Sequence, residues 1–396
     1  MAMKQLSKAI GLAAMAMSGA VLADAPTLKQ VLDTSGITTT GYVDAAFTRY
    51  SVDPAEQLNP NQPNYFDTDK STFGVKQAGL TIASQPKEGF GALINLTAGS
   101  DADHIHSFGG SNSSNFDVTQ AFVQYATGPF TAIAGKFNTL AGAEVIAPTG
   151  NTNISRSIAF LYAIPFTHTG VRLSYAATDA LTFYAGLNNG WDQQTDENNS
   201  KTLELGAAWT ATDWLSIALQ GYTGKEYVTQ GLVSNGTLVA PSTSDAKGKR
   251  DLIDAVVTIK PTKELSLILN YDHGKQEKGG TPTNATGDAT WKALVGYVNY
   301  QFTDEWRVSV RAEKFDDTDG YRLGAVDLST GDLNKATKEY TLTVGYAPSA
   351  NFELRGEVRE DKGDKKIFVK SGSFADGTNT NSTNELAYAV EALYKF

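Results

Sequence analysis

Apolar and polar residues alternate one by one along most of this chain. In the C-terminal segment 384–396, Leu386, Tyr388, Val390, Ala392, Tyr394 and Phe396 share one face at a side-chain period of two. Glu385, Ala387, Ala389, Glu391, Leu393 and Lys395 share the other. One face suits lipid and the other suits water. The same pattern predicts sixteen strands, at 37–50, 72–84, 91–99, 118–126, 130–137, 167–177, 181–191, 201–210, 215–227, 250–260, 265–275, 290–302, 306–315, 338–347, 352–361 and 384–396. Their apolar faces, such as Val43-Ala45-Phe47, Leu203-Leu205-Ala207-Trp209 and Trp306-Val308-Val310, carry no charge. A bilayer leaves no backbone polar group to water, so only helices and closed barrels cross it. Strands apolar on one face and polar on the other therefore predict an all-β fold, a closed antiparallel transmembrane β-barrel.

The connections alternate in length. Seven are tight, at 85–90, 127–129, 178–180, 211–214, 261–264, 303–305 and 348–351, and each carries the Pro, Gly, Asp or Asn that turns require. The other eight are long and rich in Gly, Asn, Ser, Thr and Asp. Both termini then lie on the short-turn side, the arrangement of a barrel with short periplasmic turns and long extracellular loops. Aromatic residues bracket the tight turns (Tyr125 and Phe130, Trp209 and Trp214, Phe302 and Trp306, Tyr346 and Phe352), with Phe396 completing the set. Such a girdle sits at headgroup level, where one side is wet and the other apolar.

The amino terminus has a different pattern. Lys4 and Lys8 precede an uncharged apolar run from Ala9 to Val21 and a small-residue site ending at Ala23. This predicts a secretory signal peptide over 1–23, a short periplasmic lead over 24–36 and the barrel over 37–396. Loss of Lys4 and Lys8 takes the formal charge from −10 to −12, which argues against nucleic acid as a partner. No later stretch is long and apolar enough for a membrane helix, and the mean hydropathy is −0.26. With no cysteine in 396 residues, an exported chain depends on packing and hydrogen bonds alone, and a closed barrel meets that need because it has no free edge.

The polar faces contain Asp44, Arg172, Glu204, Asp254, Asp272, Arg307, Arg311, Glu313, Glu353, Arg355, Glu357, Arg359, Glu391 and Lys395. Charges in a dry interior cost several kcal/mol unless paired, so this set predicts a hydrated lumen. The run from Glu353 to Arg359, with Arg307, Arg311 and Glu313 nearby, also has the composition of a cross-strand charge ladder on the wall. About eight strands would be filled by side chains, whereas sixteen leave room for an aqueous channel.

The stretch Gly135-Lys136-Phe137-Asn138-Thr139-Leu140-Ala141-Gly142-Ala143-Glu144, followed by Ser155-Arg156-Ser157 and Pro165-Phe166-Thr167-His168-Thr169-Gly170, resembles the central signature of the OmpL-like putative β-barrel porins of Gram-negative bacteria. The similarity runs more loosely from Gly41-Tyr42-Val43-Asp44 to the terminal phenylalanine. It implies an outer-membrane pore for passive diffusion of small hydrophilic solutes and ions, without cofactor or covalent step. It further implies partners in outer-membrane lipid and lipopolysaccharide, and association as a homotrimer. General porins fold the loop between the fifth and sixth strands into the lumen. By that resemblance 138–166 is the constriction loop, with Lys136, Glu144, Arg156 and His168 meeting solutes.

Other functions find less support. Sugar-specific pores use a series of inward aromatics, while Tyr184, Tyr222 and Tyr297 are scattered over separate strands. Phosphate channels need clustered basic residues, and here Lys and Arg are interleaved with Asp and Glu. The acidic balance predicts a mild preference for cations. His104-Ile105-His106 has ligand spacing but no third ligand, and the acids of 316–320 lack the closing glutamate of a calcium loop. An outer-membrane hydrolase would have to recruit one of four histidines without any nucleophile motif. An adhesin would act through long loops such as 228–249.

Overall fold

The computed structural model describes residues 35–51, 71–107, 115–228, 233–234, 237–238, 247–279, 287–369 and 381–396. The expected signal peptide and nearly all of the lead lie outside them. Contacts divide the chain into Met1–Thr38, of which only 35–38 are described, and one compact unit, Thr39–Phe396.

Alternation becomes sixteen long strands: β1 Thr38–Tyr50, β2 Thr72–Ser84, β3 Gly89–Ala98, β4 Phe116–Thr127, β5 Phe130–Asn138, β6 Thr167–Thr178, β7 Leu181–Asn188, β8 Thr202–Thr212, β9 Leu215–Tyr227, β10 Lys247–Ile259, β11 Leu265–Gln276, β12 Ala289–Gln301, β13 Trp306–Asp316, β14 Ala336–Ser349, β15 Phe352–Gly363 and β16 Asn384–Lys395. Each pairs antiparallel with its sequence neighbours, and the sheet closes on itself. Closure is made by β16, which places Lys395 opposite Tyr42 and Tyr394 opposite Phe352. Gly41 N donates to Phe396 O, and Phe396 N donates back to Gly41 O, both at 2.9 Å.

β7 ends three residues before the expected Trp191. The chain turns out of the sheet through Gly190 at φ 140° and Asp192 at φ 52°, and Trp191 enters the barrel. Two miniature hairpins, Val233–Ser234 with Thr237–Leu238 and Phe368–Val369 with Asn381–Ser382, lie in loops. Two-residue strands are too short to show a period.

The outward faces are those the alternation predicts. Leu205, Leu219, Ile253, Leu269, Val310 and Val390 are exposed, while Asp44, Arg311, Glu357 and Glu391 point inward and are buried. Girdle aromatics touch across strands, with ring centroids 4.8 Å apart for Phe90 and Tyr125 and 4.5 Å for Trp306 and Tyr346. The apolar core lies inside the barrel, built by Ile158, Phe160, Leu161, Tyr162, Trp191, Trp291 and Phe315 with their neighbours.

Candidate functional site

The connection between β5 and β6, residues 139–166, folds inside the barrel, and every residue from 153 to 166 is buried. An irregular segment in an interior must have its peptide groups satisfied. The wall's charged side chains perform that task. Glu313 on β13 accepts from Ile158 N at 2.7 Å and Ala159 N at 2.5 Å. Glu357 on β15 accepts from Ile154 N at 2.7 Å and Ser155 N at 2.9 Å. Arg307, Arg355 and Arg359 donate to the carbonyls of Thr152, Pro148 and Arg156. Asn270 on β11 accepts from Ala143 N, and Trp291 on β12 donates to Ala163 O. The loop is thereby fastened to the β11–β15 sector of the wall.

Arg311 is the centre of this attachment. Its guanidinium, fully buried, lies 2.6 Å from Glu144 on the loop and 2.9 Å from Glu339 on β14, and it donates to Ser155 O at 2.7 Å. Glu144 also accepts from Ser157 N and Oγ. Glu339 is further bonded to the Thr341 hydroxyl. Arg359 pairs with Asp361 at 2.7 Å.

The predicted charge ladder is present in part and extends to Glu391. Arg307 reaches Glu353 at 2.6 Å, and Glu353 reaches Arg355 at 2.9 Å. Arg355 lies 3.1 Å from Glu391, close enough for ion pairing but misaligned for a hydrogen bond. Arg307 and Glu353 are not on adjacent strands. Gly345 lies between them, and a Cβ there would sit 2.4 Å from Glu353 Oε1. Arg172 and Glu204 repeat the device across Gly186, with Nε 2.7 Å from Oε1. In both cases a glycine opens the path between charges two strands apart.

These contacts change the picture of a water-lined wall. Most of the inward charges are buried and paired, and those of β13–β15 hold an internal loop, while Asp254 and Asp272 lie buried together around the Asn270 amide. Hydration is replaced by backbone groups and counter-charges. Lys136 pairs with Asp117 at 3.1 Å. His168 is fully buried, stacked on Tyr222 at 4.8 Å with Nδ1 3.2 Å from Gly190 O.

Arg156 faces the opposite way from the anchoring groups. With Lys76 it meets Asp44, Asp101 and Glu391 around a polar gap of about 20 Å³ on the β1, β2 and β16 side. That gap holds about one water. On the periplasmic side the space widens into a cavity of about 470 Å³, bordered by Thr81, Asn95, Gln120, Asn138 and Thr149, with Lys395 its one charged lining residue. On the extracellular side the turn Ala159–Ala163 packs into the aromatic core. There Arg322 donates to Tyr162 O at 2.5 Å and lies over the Trp291 ring at 5.4 Å; burial lowers its pKa to about 10.

Several of these residues carry no local sequence signal. Asp192 accepts from Phe166 N and Thr167 N, and Asp317 accepts from the amides of 321–324. Burial raises both carboxyls above the ordinary range. Asp317 and Asp319, from the calcium-like run, are thus occupied with backbone donors, Asp319 with Thr290 N. Among the described residues no group of three or more metal-ligating side chains converges. Glu339 and Asp361 had a signal, since both lie inside the predicted strands 338–347 and 352–361, on the same faces as Thr341 and Arg359.

A closed sixteen-strand barrel with an apolar exterior and a loop fastened inside it is the architecture of an outer-membrane porin. The family model described as putative beta-barrel porin-2, OmpL-like, matches residues 36–396, and the chain belongs to that family. Solved structures agree in fold. An anion-selective porin from Comamonas acidovorans has a TM-score of 0.60 at 12% identity, covering 91% of this chain and 99% of its own. The outer membrane channel DcaP of Acinetobacter baumannii has a TM-score of 0.58 at 12% identity, covering 91% and 97%. OprB of Pseudomonas putida has a TM-score of 0.57 at 12% identity, covering 92% and 96%. No curated protein matches the chain by sequence.

Proposed function

We propose that this porin passes small hydrophilic solutes and ions along a path between the inward loop and the β16–β1–β2 sector, with Arg156, Asp44, Asp101 and Glu391 at its narrowest point. The observation that carries this reading is the uneven attachment of the loop, dense on the β11–β15 side and held on the opposite side by Gln77 Nε2 donating to Ile146 O, which leaves that side as the route. Lys136, His168, Arg172, Arg307, Arg311, Glu313, Arg355, Glu357 and Arg359 then shape the path by holding the loop and the wall, and Glu144 by locking the loop to Arg311. The neutral amides and hydroxyls of the periplasmic cavity favour uncharged polar solutes. Three acids against two bases at the gap keep the mild cation preference. Likeness to an anion-selective porin carries the fold and no selectivity.

Passage requires no cofactor and no covalent step. We further propose that residues 1–23 are removed on export, that the barrel is surrounded by outer-membrane lipid and lipopolysaccharide, and that it assembles as a homotrimer. OmpT of Vibrio cholerae, similar in fold at a TM-score of 0.55 and 12% identity, has been solved in a trimer form. Planar-bilayer recording of the refolded protein tests the channel. Discrete current steps of small size are expected, larger in Arg156→Ala, with a reversal potential favouring potassium over chloride. Absence of steps rejects the pore, and a reversal potential favouring chloride rejects the charge assignment.

A further inference from the structure

The outward faces of seven consecutive strands carry lysines at their long-loop ends: Lys225 on β9, Lys249 on β10, Lys275 on β11, Lys292 on β12, Lys314 on β13, Lys338 on β14 and Lys362 on β15. They continue the lipid-facing columns. Leu294 lies below Lys292, Val310 below Lys314 and Leu342 below Lys338, all exposed, and on β15 Glu360 stands between Lys362 and the exposed Val358. In register, Lys225 stands opposite Lys249, Lys314 opposite Lys338, and Lys338 opposite Lys362. Like charges directly opposite destabilise a sheet, yet this chain of net charge −10 places them side by side.

Acids offset only part of the row. Lys249 reaches Asp251 at 2.9 Å, Lys275 reaches Asp288 at 2.8 Å and Lys314 reaches Asp316 at 2.7 Å. Among the described residues Lys292, Lys338 and Lys362 form no ion pair. The row is concentrated on one side. At the same end of β4 and β7 the outward residues are Phe116 and Leu187, the base at that end of β8, Lys201, is paired with Asp196 at 2.5 Å, and β1 carries the single outward base Arg49.

Depth identifies what the row meets. Trp306 of the girdle and Lys314 lie on one face of β13, eight residues apart, about 26 Å along the strand. At a tilt of about 40° this is about 20 Å along the membrane normal, and a lysine stem carries its ammonium beyond an apolar band about 25 Å tall.

We propose that this row, on the barrel face from β9 to β15, binds the phosphate groups of phosphorylated glycolipid headgroups in the outer leaflet. The proposal rests on the outer-membrane reading and gives that lipid contact a specific face. The phosphates supply the negative charge that the sheet lacks, and the row, concentrated on one side, orients the barrel with β9–β15 towards bulk lipid.

The test uses the full refolded barrel in zwitterionic detergent. Lipopolysaccharide, or the same glycolipid with its phosphates removed, is titrated in, and retained lipid is read by native mass spectrometry. Retention of the phosphorylated form alone is expected, weakening with salt. The triple variant Lys314→Gln, Lys338→Gln, Lys362→Gln should bind about a hundredfold more weakly. Without glycolipid, the variant should melt at a higher temperature than the parent because the repulsion is gone; with glycolipid, only the parent should be stabilised. Equal retention of the two lipid forms, or of one form by parent and variant, overturns the proposal. Full competition by inorganic phosphate at the same concentration also overturns it, as does a change in oligomeric state of the variant without a change in lipid binding. Ion current recorded in parallel tests the porin reading separately.

Discussion

Two sectors of one barrel wall share the same alternation and serve opposite purposes. From β13 to β16 the inward charged side chains include Arg311, Glu313, Glu339, Arg355, Glu357, Arg359, Asp361 and Glu391, all buried, with the half-buried Arg307 and Glu353, and they are joined to the loop or to one another. From β6 to β12 the periplasmic half of the inward face, followed through the register, reads Ser174, Tyr184, Thr182, Gly206, Ala208, Ser216, Thr258, Ser266 and Asn299, without a charge. The charged sector holds the loop, and the inward residues of the neutral sector are half-buried. Inward charge in this barrel therefore marks where the interior is filled, because buried peptide groups need strong partners, while neutral polar residues suffice where water supplies them.

The largest expected effect breaks the charged sector. Arg311→Ala leaves Glu144 and Glu339 buried without their cation and should cost about 3–5 kcal/mol in urea unfolding of the refolded barrel; a loss below about 1 kcal/mol would show that the network is open to water. Next comes the exterior that both sectors share. Leu205→Arg places a charge in the middle of the apolar belt and should cost about 2–4 kcal/mol in lipid vesicles, whereas an unchanged midpoint would mean that this face does not meet lipid.

Gly345→Val tests how the charged sector is assembled. Its side chain would meet Arg307 and Glu353, so a loss of about 1–3 kcal/mol is expected, while Gly356→Ala, which has open space around it, serves as the neutral control. Thr182→Ala, in the neutral sector, should change stability by no more than about 0.5 kcal/mol. A loss comparable with that of Arg311→Ala would erase the distinction between the sectors.

The smallest effect concerns pH and lies in a loop. Asp327 accepts from Lys366 N, Ser329 N and Thr330 N, and these donors hold its carboxyl below the ordinary 3.8. A depressed folded pKa contributes stability that is present above the ordinary value and lost as pH falls through the folded one. Relative to an unstructured peptide cut in parallel, pepsin should therefore cut the 317–335 loop faster at about pH 2 than at about pH 5, and Asp327→Asn should remove that excess.

Much of the fold was legible one strand at a time. β2 and β9 begin and end where the alternation places them, and the faces of β16 sort residue by residue as read. The inward loop was legible only through family resemblance, since Ala159-Phe160-Leu161-Tyr162-Ala163 has no strand period and reads as an ordinary apolar stretch. Arg322, Asp192 and Trp191 were invisible as loop residues, because nothing in their neighbourhood says that the loop returns to the barrel axis.

By itself the chain determined which side of each strand meets lipid, how many strands there are and which end carries the loops, because a period of two and a need for turn residues act over a few positions. Tertiary structure alone decided that Arg311 joins Glu144 to Glu339 across 167 and 28 residues of sequence, that Gly345 and Gly186 open paths between charges two strands apart, and that seven scattered lysines form one row. Those relations depend on the shear of a closed sheet and the course of a loop through its interior, and such distances are set only when all sixteen strands are in register.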